Sequence, residues 1–302
     1  MPDNIQDSLG QFSAGLAARV AAARLLVAEI RARGRSPRTG TLWRKDVVVA
    51  SEQALPDIAD SEIALAGGGT FTARLAGRDR GTNIAVLKLD GGPEPAPQAA
   101  VGEPQPGALV LALAADGAGE VAVRLGAVHS VGPAWHSRAG GRIDRRINLD
   151  IRLGEREEGG PVLDAAGGLL GISTLGPRRR VLVIPAATVE RVLDPLLTTG
   201  RVARGWLGAS VQPVLVPDAL RGEAGQALGL MVIGVAPDGP AAQAGMLLGD
   251  ILVAVDGEGV GSASQLAGLL GPDAVGRQVE LRLIRAGRVE ALAATVGARP
   301  AR

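Results

Sequence analysis

The sequence predicts a mainly β chain: an N-terminal helix, two antiparallel β-barrels, and a C-terminal unit of mixed strands and helices. Three observations carry this. Between residues 25 and 185, short runs rich in Val, Leu and Ile recur, such as DVVVAS, IAVLKLD, ALVLALA and VLVIPA, divided by Gly, Pro and Asp turn signals. Roughly ten such runs over some 160 residues exceed one small sandwich and fit two barrels. The second observation is the AATVERVLDPLLTTG stretch, where Val189, Val192, Leu193 and Leu196 share one helical face and Gly200 stops the helix. The third is the change of texture after residue 200, where strands at GWLGASVQ, LMVIGVAP, ILVAVDG and VELRLIRAG alternate with helices at GPAAQAG and SASQLAGLLG. A unit of about a hundred residues with its own core is a domain in its own right. At the other end, Leu9, Phe12, Leu16 and Val20 recur at helical spacing, so residues from 5 to 22 form an amphipathic helix. The expected divisions are 1–23, 24–199 and 200–302.

Composition narrows the functional classes. The chain has 302 residues, is 46% hydrophobic, and draws only 2% from aromatics, so the cores are aliphatic and no stacking platform for bases or sugars exists. With 32 basic against 31 acidic residues, mostly scattered, there is no long basic face for nucleic acid. Cysteine is absent, which excludes disulfides and thiolate chemistry. The two histidines, His129 and His136, lack metal-type spacing, and no cofactor is expected. Arg19, Arg24 and Glu29 interrupt the only apolar N-terminal stretch, so neither a membrane span nor a secretory signal is expected, and a cytoplasmic protein follows.

The C-terminal unit carries the most specific motifs. Its Pro-Asp-Gly-Pro-Ala with Ala244-Gly245, its Gly249-Asp250-Ile251 and its Asp256-Gly257 after a strand resemble a PDZ domain of the bacterial kind. Pro240 suits a first helical turn and Asp256-Gly257 a tight hairpin. With RGWLGASVQ before it, the chain is similar to HtrA/Deg proteins, chymotrypsin-like double six-stranded antiparallel barrels followed by a PDZ domain. GTLWRKDVVVASEQALPD, GRDRGTNIAVLKLD and GGPVLDAAGGLLGIST then fall on the family's His, Asp and Ser segments.

At the three triad positions this sequence departs from the family. The His place falls on Gln53, the Asp place on Asn83 and the Ser place on Glu158. Acyl transfer needs a hydroxyl or thiol, a base of near-neutral pKa and an acceptor that orients the base. Gln53 has no basic nitrogen, Asn83 has no charge, and Glu155, Glu157 and Glu158 cluster where an oxyanion should be stabilised. The resemblance with these losses implies a degenerate relative, not an enzyme, that serves as a protein-binding scaffold, chaperone-like holder or accessory subunit. An altered hydrolase, with Glu157 and Glu158 joined by Asp150 or His129, and a purely structural subunit stay open as alternatives, as does drift at an unused cleft.

The PDZ resemblance implies a peptide site. Trp206, Leu207, Gly208 and Ala209 form the loop expected to hold a peptide carboxylate, and Leu266 and Leu269 are candidate pocket walls or plain core. The partner implied is a protein C-terminus or extended strand. The resemblance also implies a homotrimer or a hetero-complex subunit, with Phe12 as a candidate contact. GPRRRV, from Gly176 to Val181, is read as a solvated basic hairpin tip.

Overall fold

The computed structural model describes residues 2–55, 60–95, 102–137 and 139–300. A helix, α1 (Pro2–Ala23), precedes the first barrel, whose strands are β1 (Val27–Arg31), β2 (Arg38–Arg44), β3 (Val47–Ser51), β4 (Asp60–Leu65), β5 (Gly69–Asp79) and β6 (Ile84–Leu89). They close in the order β1-β2-β3-β6-β5-β4. Alternation puts Ala28, Ile30, Leu42, Val48, Ala50, Ile63, Ala85 and Leu87 inside, so an aliphatic core fills a barrel that has no aromatic to spare.

The second barrel is built from β7 (Leu109–Ala115) and β8 (Val121–Gly132), then, after the short pair β9 (Trp135–His136) and β10 (Arg142–Ile143), from β11 (Arg146–Leu149), β12 (Pro161–Asp164), β13 (Leu169–Leu175) and β14 (Val181–Pro185). Its closed order is β11-β14-β13-β12-β7-β8. The helix α2 (Ala186–Thr199) follows, and the four aliphatics that share a face in the sequence are those it buries, each fully closed off from solvent. Burial of each such side chain is worth about 1.5–3 kcal/mol. Gly200 ends the helix in the left-handed conformation at φ 73°.

The C-terminal unit contains β15 (Gly205–Trp206), β16 (Ala209–Leu215), α3 (Arg221–Ala224), β17 (Leu228–Val235), α4 (Pro240–Gln243), β18 (Ile251–Val255), β19 (Glu258–Gly259), α5 (Ala263–Leu269), β20 (Gln278–Arg285), β21 (Arg288–Thr295) and β22 (Gly297–Ala298). The main sheet runs β16-β17-β18-β20-β21, which leaves β16 at an edge. Pro240 opens α4, and Asp256 and Gly257, at φ 49° and 80°, form the tight turn between β18 and β19. The buried Asp250 carboxylate accepts from Leu247 N–H at 2.8 Å and from Arg285 Nε at 2.9 Å and a terminal guanidinium nitrogen at 2.7 Å. These bonds raise the Arg285 pKa further above its ordinary value. The Gly-Asp-Ile motif thus locks the turn before β18 to β20. Ser262 caps α5 by accepting from Gln265 N–H.

Two compact units result: residues 1–135 with 143–201, and residues 136–142 with 202–302. The short His136–Arg142 segment therefore groups with the C-terminal unit. It lies on α5, where a Cβ at Gly268 would come within 2.8 Å of His136 Cε1, and Arg204 donates to the Ala139 carbonyl.

Candidate functional site

Gln53, Asn83 and Glu158 converge in one polar cluster. Gln53 follows β3 in a single 3-10 turn. Asn83 precedes β6 at φ 58°, a left-handed conformation that Asn tolerates. Glu158 comes from the loop before β12 and is only 4% exposed. The loop is held tightly: a Cβ at Gly159 would lie 2.5 Å from the Thr39 carbonyl oxygen, and one at Gly160 would lie 1.9 Å from that of Leu113, so only glycines fit against the first barrel and β7. Thr41 Oγ1 donates to the Gly159 carbonyl at 2.9 Å, and Thr39 Oγ1 to that of Arg156 at 2.7 Å.

One oxygen organises the site. Glu158 Oε1 accepts from Ser51 Oγ at 2.7 Å, Gln53 Nε2 at 2.6 Å, Thr174 Oγ1 at 2.7 Å and Leu175 N–H at 3.1 Å. Asn83 Nδ2 donates to the same two hydroxyls, at 2.9 Å to Ser51 and 2.7 Å to Thr174, while Asn83 Oδ1 accepts from Gln53 N–H at 2.8 Å. Each hydroxyl therefore spends its one hydrogen on the carboxylate and accepts from the Asn83 amide, and Thr174 Oγ1 accepts also from Gln53 Nε2 at 3.2 Å. Ser51 and Thr174, which the sequence reading missed, are buried at 0% and 3% exposure. The sequence signal was slight: Ser51 ends a strand-like run two residues before Gln53, and Thr174 ends one sixteen residues after Glu158.

The three glutamates of the loop do not cluster. Glu155 pairs with Arg179, Glu157 pairs with Arg124 and accepts from Gly154 N–H, and only Glu158 turns inward. His129 and Asp150 line a different cavity from Glu157, so the set Glu157, Glu158, Asp150 and His129 is not brought together. Among the described residues, no group of three or more His, Asp or Glu side chains could hold a metal ion.

At the PDZ-like edge, the carbonyls of Leu207 and Gly208 accept from Ala241 N–H at 2.6 Å and Ala236 N–H at 2.7 Å. Gly208 takes φ 79°, with Trp206 packed under it. Neither the Leu207 nor the Gly208 N–H has an acceptor among the described residues. Ala209 opens the free edge of β16, and α5 lies beside that strand. The Leu207 and Leu266 side chains belong to the core of the unit, and Leu269 is partly buried against it.

The geometry defines a class: a two-barrel chymotrypsin-like fold with a PDZ domain behind it. Comparison with known proteins agrees. Residues 38–172 match the trypsin-like peptidase domain and residues 205–296 the PDZ domain. The chain is 30% identical over 262 residues to a periplasmic serine endoprotease, DegP-like, of Brucella suis biovar 1, covering 84% of this chain and 50% of that protein. It is also 30% identical to a counterpart so named in Halomonas elongata, covering 87% of this chain and 56% of that one. A solved serine endoprotease from Yersinia pestis aligns with a TM-score of 0.75 at 26% identity, over 93% of this chain and 97% of that one. The HtrA-type protease AlgW with a tripeptide aligns at 0.75 and 26%, over 95% and 98%. The chain belongs to the HtrA/Deg family of trypsin-like proteases with a C-terminal PDZ domain. It spans about half the length of the curated relatives it matches.

Two expectations are corrected by these findings. The reading of the chain as no enzyme is overturned by relatives and structural neighbours named serine endoproteases. That reading counted three side chains, whereas the structure assembles a carboxylate, two amides and two hydroxyls at the same point. The cytoplasmic placement is overturned by relatives named periplasmic. It rested on the charges that interrupt the N-terminal apolar run; these bear on membrane crossing, and no helix among the described residues is long and apolar enough to cross.

Proposed function

We propose that this HtrA-family chain recognises C-termini or extended segments of partner proteins through its PDZ unit, in the periplasm, as a scaffold, chaperone-like holder or accessory subunit. One observation carries the reading. The Trp206–Ala209 loop offers two backbone N–H groups without internal acceptors beside the open edge of β16. Such a loop holds a carboxylate while the edge strand accepts the peptide backbone as an added strand. Trp206 and Gly208 shape the loop, and Leu207 and Leu266 act from the core beneath it. Leu269 is the wall residue that remains partly open. At the barrel junction, Gln53, Asn83 and Glu158 occupy the family's triad positions and act together through the Glu158 carboxylate.

The modest affinity of strand addition gains from clustering several copies. A homotrimer is the assembly we propose, with α1 contributing Leu9 and Phe12, exposed at 64% and 49%.

The test is a pair of fluorescent decapeptides with an apolar last residue, one a free acid and one C-terminally amidated. The free acid is expected to bind at least about tenfold more tightly, the loss of one charge-assisted bond set. Equal affinity for the two, or binding of neither, overturns the reading. Hydrolysis of a broad peptide library by the same preparation, with Glu158→Ala beside it, measures separately the activity that the relatives' names carry.

A further inference from the structure

The basic turn GPRRRV finds no use in either site, yet it forms one wall of a groove. Two cavities of about 400 and 520 Å³ adjoin on the second barrel and share Asn148 and Arg180 in their walls. Arg146 and Arg178 line the first, Arg152 and Arg179 the second. Five arginines thus line one groove in a chain whose net charge is only +1. Arg152, Arg178 and Arg180 are exposed and make no ion pair among the described residues. Against them stand Asp150 in the groove and Glu155, which pairs with Arg179 at 3.3 Å.

Two further features bear on what fits. Arg178 and Arg179 adopt φ 57° and 58°, a left-handed conformation uncommon for residues other than Gly, Asn and Asp, so the turn holds its arginines in a costly backbone conformation. The floor of the groove is polar. Asn148 Nδ2 donates to Ser130 Oγ at 2.7 Å, which leaves the Asn148 carbonyl oxygen and the Ser130 hydrogen to pair with a backbone amide and carbonyl. Neither cavity is lined by a Phe or Trp ring on which bases could stack, and Trp135 has the Arg146 guanidinium 5.6 Å from its ring centroid.

We infer that this groove is a docking site for an acidic polypeptide segment, distinct from the PDZ edge and from the Glu158 cluster. Carboxylates of such a segment pair with Arg152, Arg178 and Arg180, and its backbone meets Asn148 and Ser130. Its charge competes with Glu155 for Arg179, so docking loosens the loop that runs from Glu155 to Glu158. The groove selects partners or substrates with an acidic stretch, independently of what their C-termini present.

The experiment is fluorescence anisotropy of a labelled deca-glutamate peptide with the full chain, at low salt and at about 0.3 M salt, where exposed charge pairs are screened. Binding that weakens with salt is expected. The double reversal Arg152→Glu with Arg180→Glu should weaken it by at least about tenfold, and the neutral Arg152→Gln with Arg180→Gln by less. A control of equal charge change, Arg35→Glu with Arg288→Glu, both exposed and outside the groove, should leave it within about twofold. Equal losses in the groove and control variants overturn the proposal by reducing it to net charge. So does failure of the peptide to bind the wild type, or binding of inorganic polyphosphate in its place. Circular dichroism checks that each variant is folded.

Discussion

The barrel junction and the PDZ edge are both polar sites on β-structure, and they are built in opposite ways. At the junction, side chains from both barrels meet on one buried carboxylate oxygen, which already accepts four hydrogen bonds. At the PDZ edge, the backbone N–H groups of Leu207 and Gly208 have no internal acceptor among the described residues. The first site is closed by its own chain; the second keeps donors that its own chain does not pair. A buried polar group is costly only when unpaired, so the fully paired junction contributes to stability, whereas the two PDZ-edge N–H groups, on residues that are themselves buried, gain by meeting an acceptor.

The sharpest break of this comparison is Glu158→Ala. It removes the acceptor from two buried hydroxyls and the Leu175 N–H, and one of three acceptors from the Gln53 amide. A loss of roughly 3 kcal/mol or more in barrel stability is expected, read from urea unfolding through hydrogen exchange of β3 and β13. Peptide affinity at the PDZ edge should not move. If the barrels keep their stability, the cluster is not the lock described here. A fall in PDZ affinity would show the two sites to be energetically coupled.

Next in size is Asp250→Ala. The carboxylate is 2% exposed and bound by Arg285 and by Leu247 N–H, so its loss leaves a guanidinium that is 25% exposed without its main partner. About 2 kcal/mol of stability should be lost from the PDZ unit, with little dependence on salt. Gly208→Ala is milder. A methyl group at φ 79° costs about 1–2 kcal/mol and would sit 3.2 Å from the Trp206 ring. The expected readout is about a tenfold loss of free-acid peptide affinity, 1.4 kcal/mol being one decade. An unchanged affinity would remove the loop from the binding site.

How far these two regions were legible in the sequence follows from how they are made. Gly-Gly-Pro after Glu158 and the Asp256-Gly257 turn are local patterns with steric causes, and the structure forms the tight loop and the hairpin that each predicts. The bonds between Ser51, Asn83 and Thr174 join residues far apart in the chain, so no spacing reveals them. Leu266 and Leu269 read as candidate pocket walls or plain core because an apolar side chain looks the same in sequence whether it faces a groove or the core; in the fold Leu266 belongs to the core and Leu269 is partly buried against it. The scatter of Glu155, Glu157 and Glu158 is a matter of which arginines lie within reach, Arg179 for one and Arg124 for another. The grouping of His136–Arg142 with α5 rests on the absence of a side chain at Gly268, a signal that sequence alone assigns to flexibility.

The smallest effect sharpens the comparison from a third carboxylate. Asp116, in the turn between β7 and β8, takes its hydrogen bonds from backbone alone: Oδ1 accepts from Ala118 N–H at 2.7 Å and from Glu120 N–H at 3.0 Å, in open solvent. Those bonds hold its pKa below the ordinary 3.8, that of Ala118 first. A depressed carboxylate pKa means that the stabilisation is complete above the unfolded value and is lost as the pH falls through the folded one. Carboxyl NMR should therefore give Asp116 a titration midpoint below 3.8, and Asp116→Asn should abolish that titration while leaving the unfolding midpoint nearly unchanged at neutral pH. A large loss of stability in Asp116→Asn would mean that backbone donors alone, without burial, suffice to make a carboxylate structurally decisive. The weight assigned to burial at Glu158 would then belong to donor number instead.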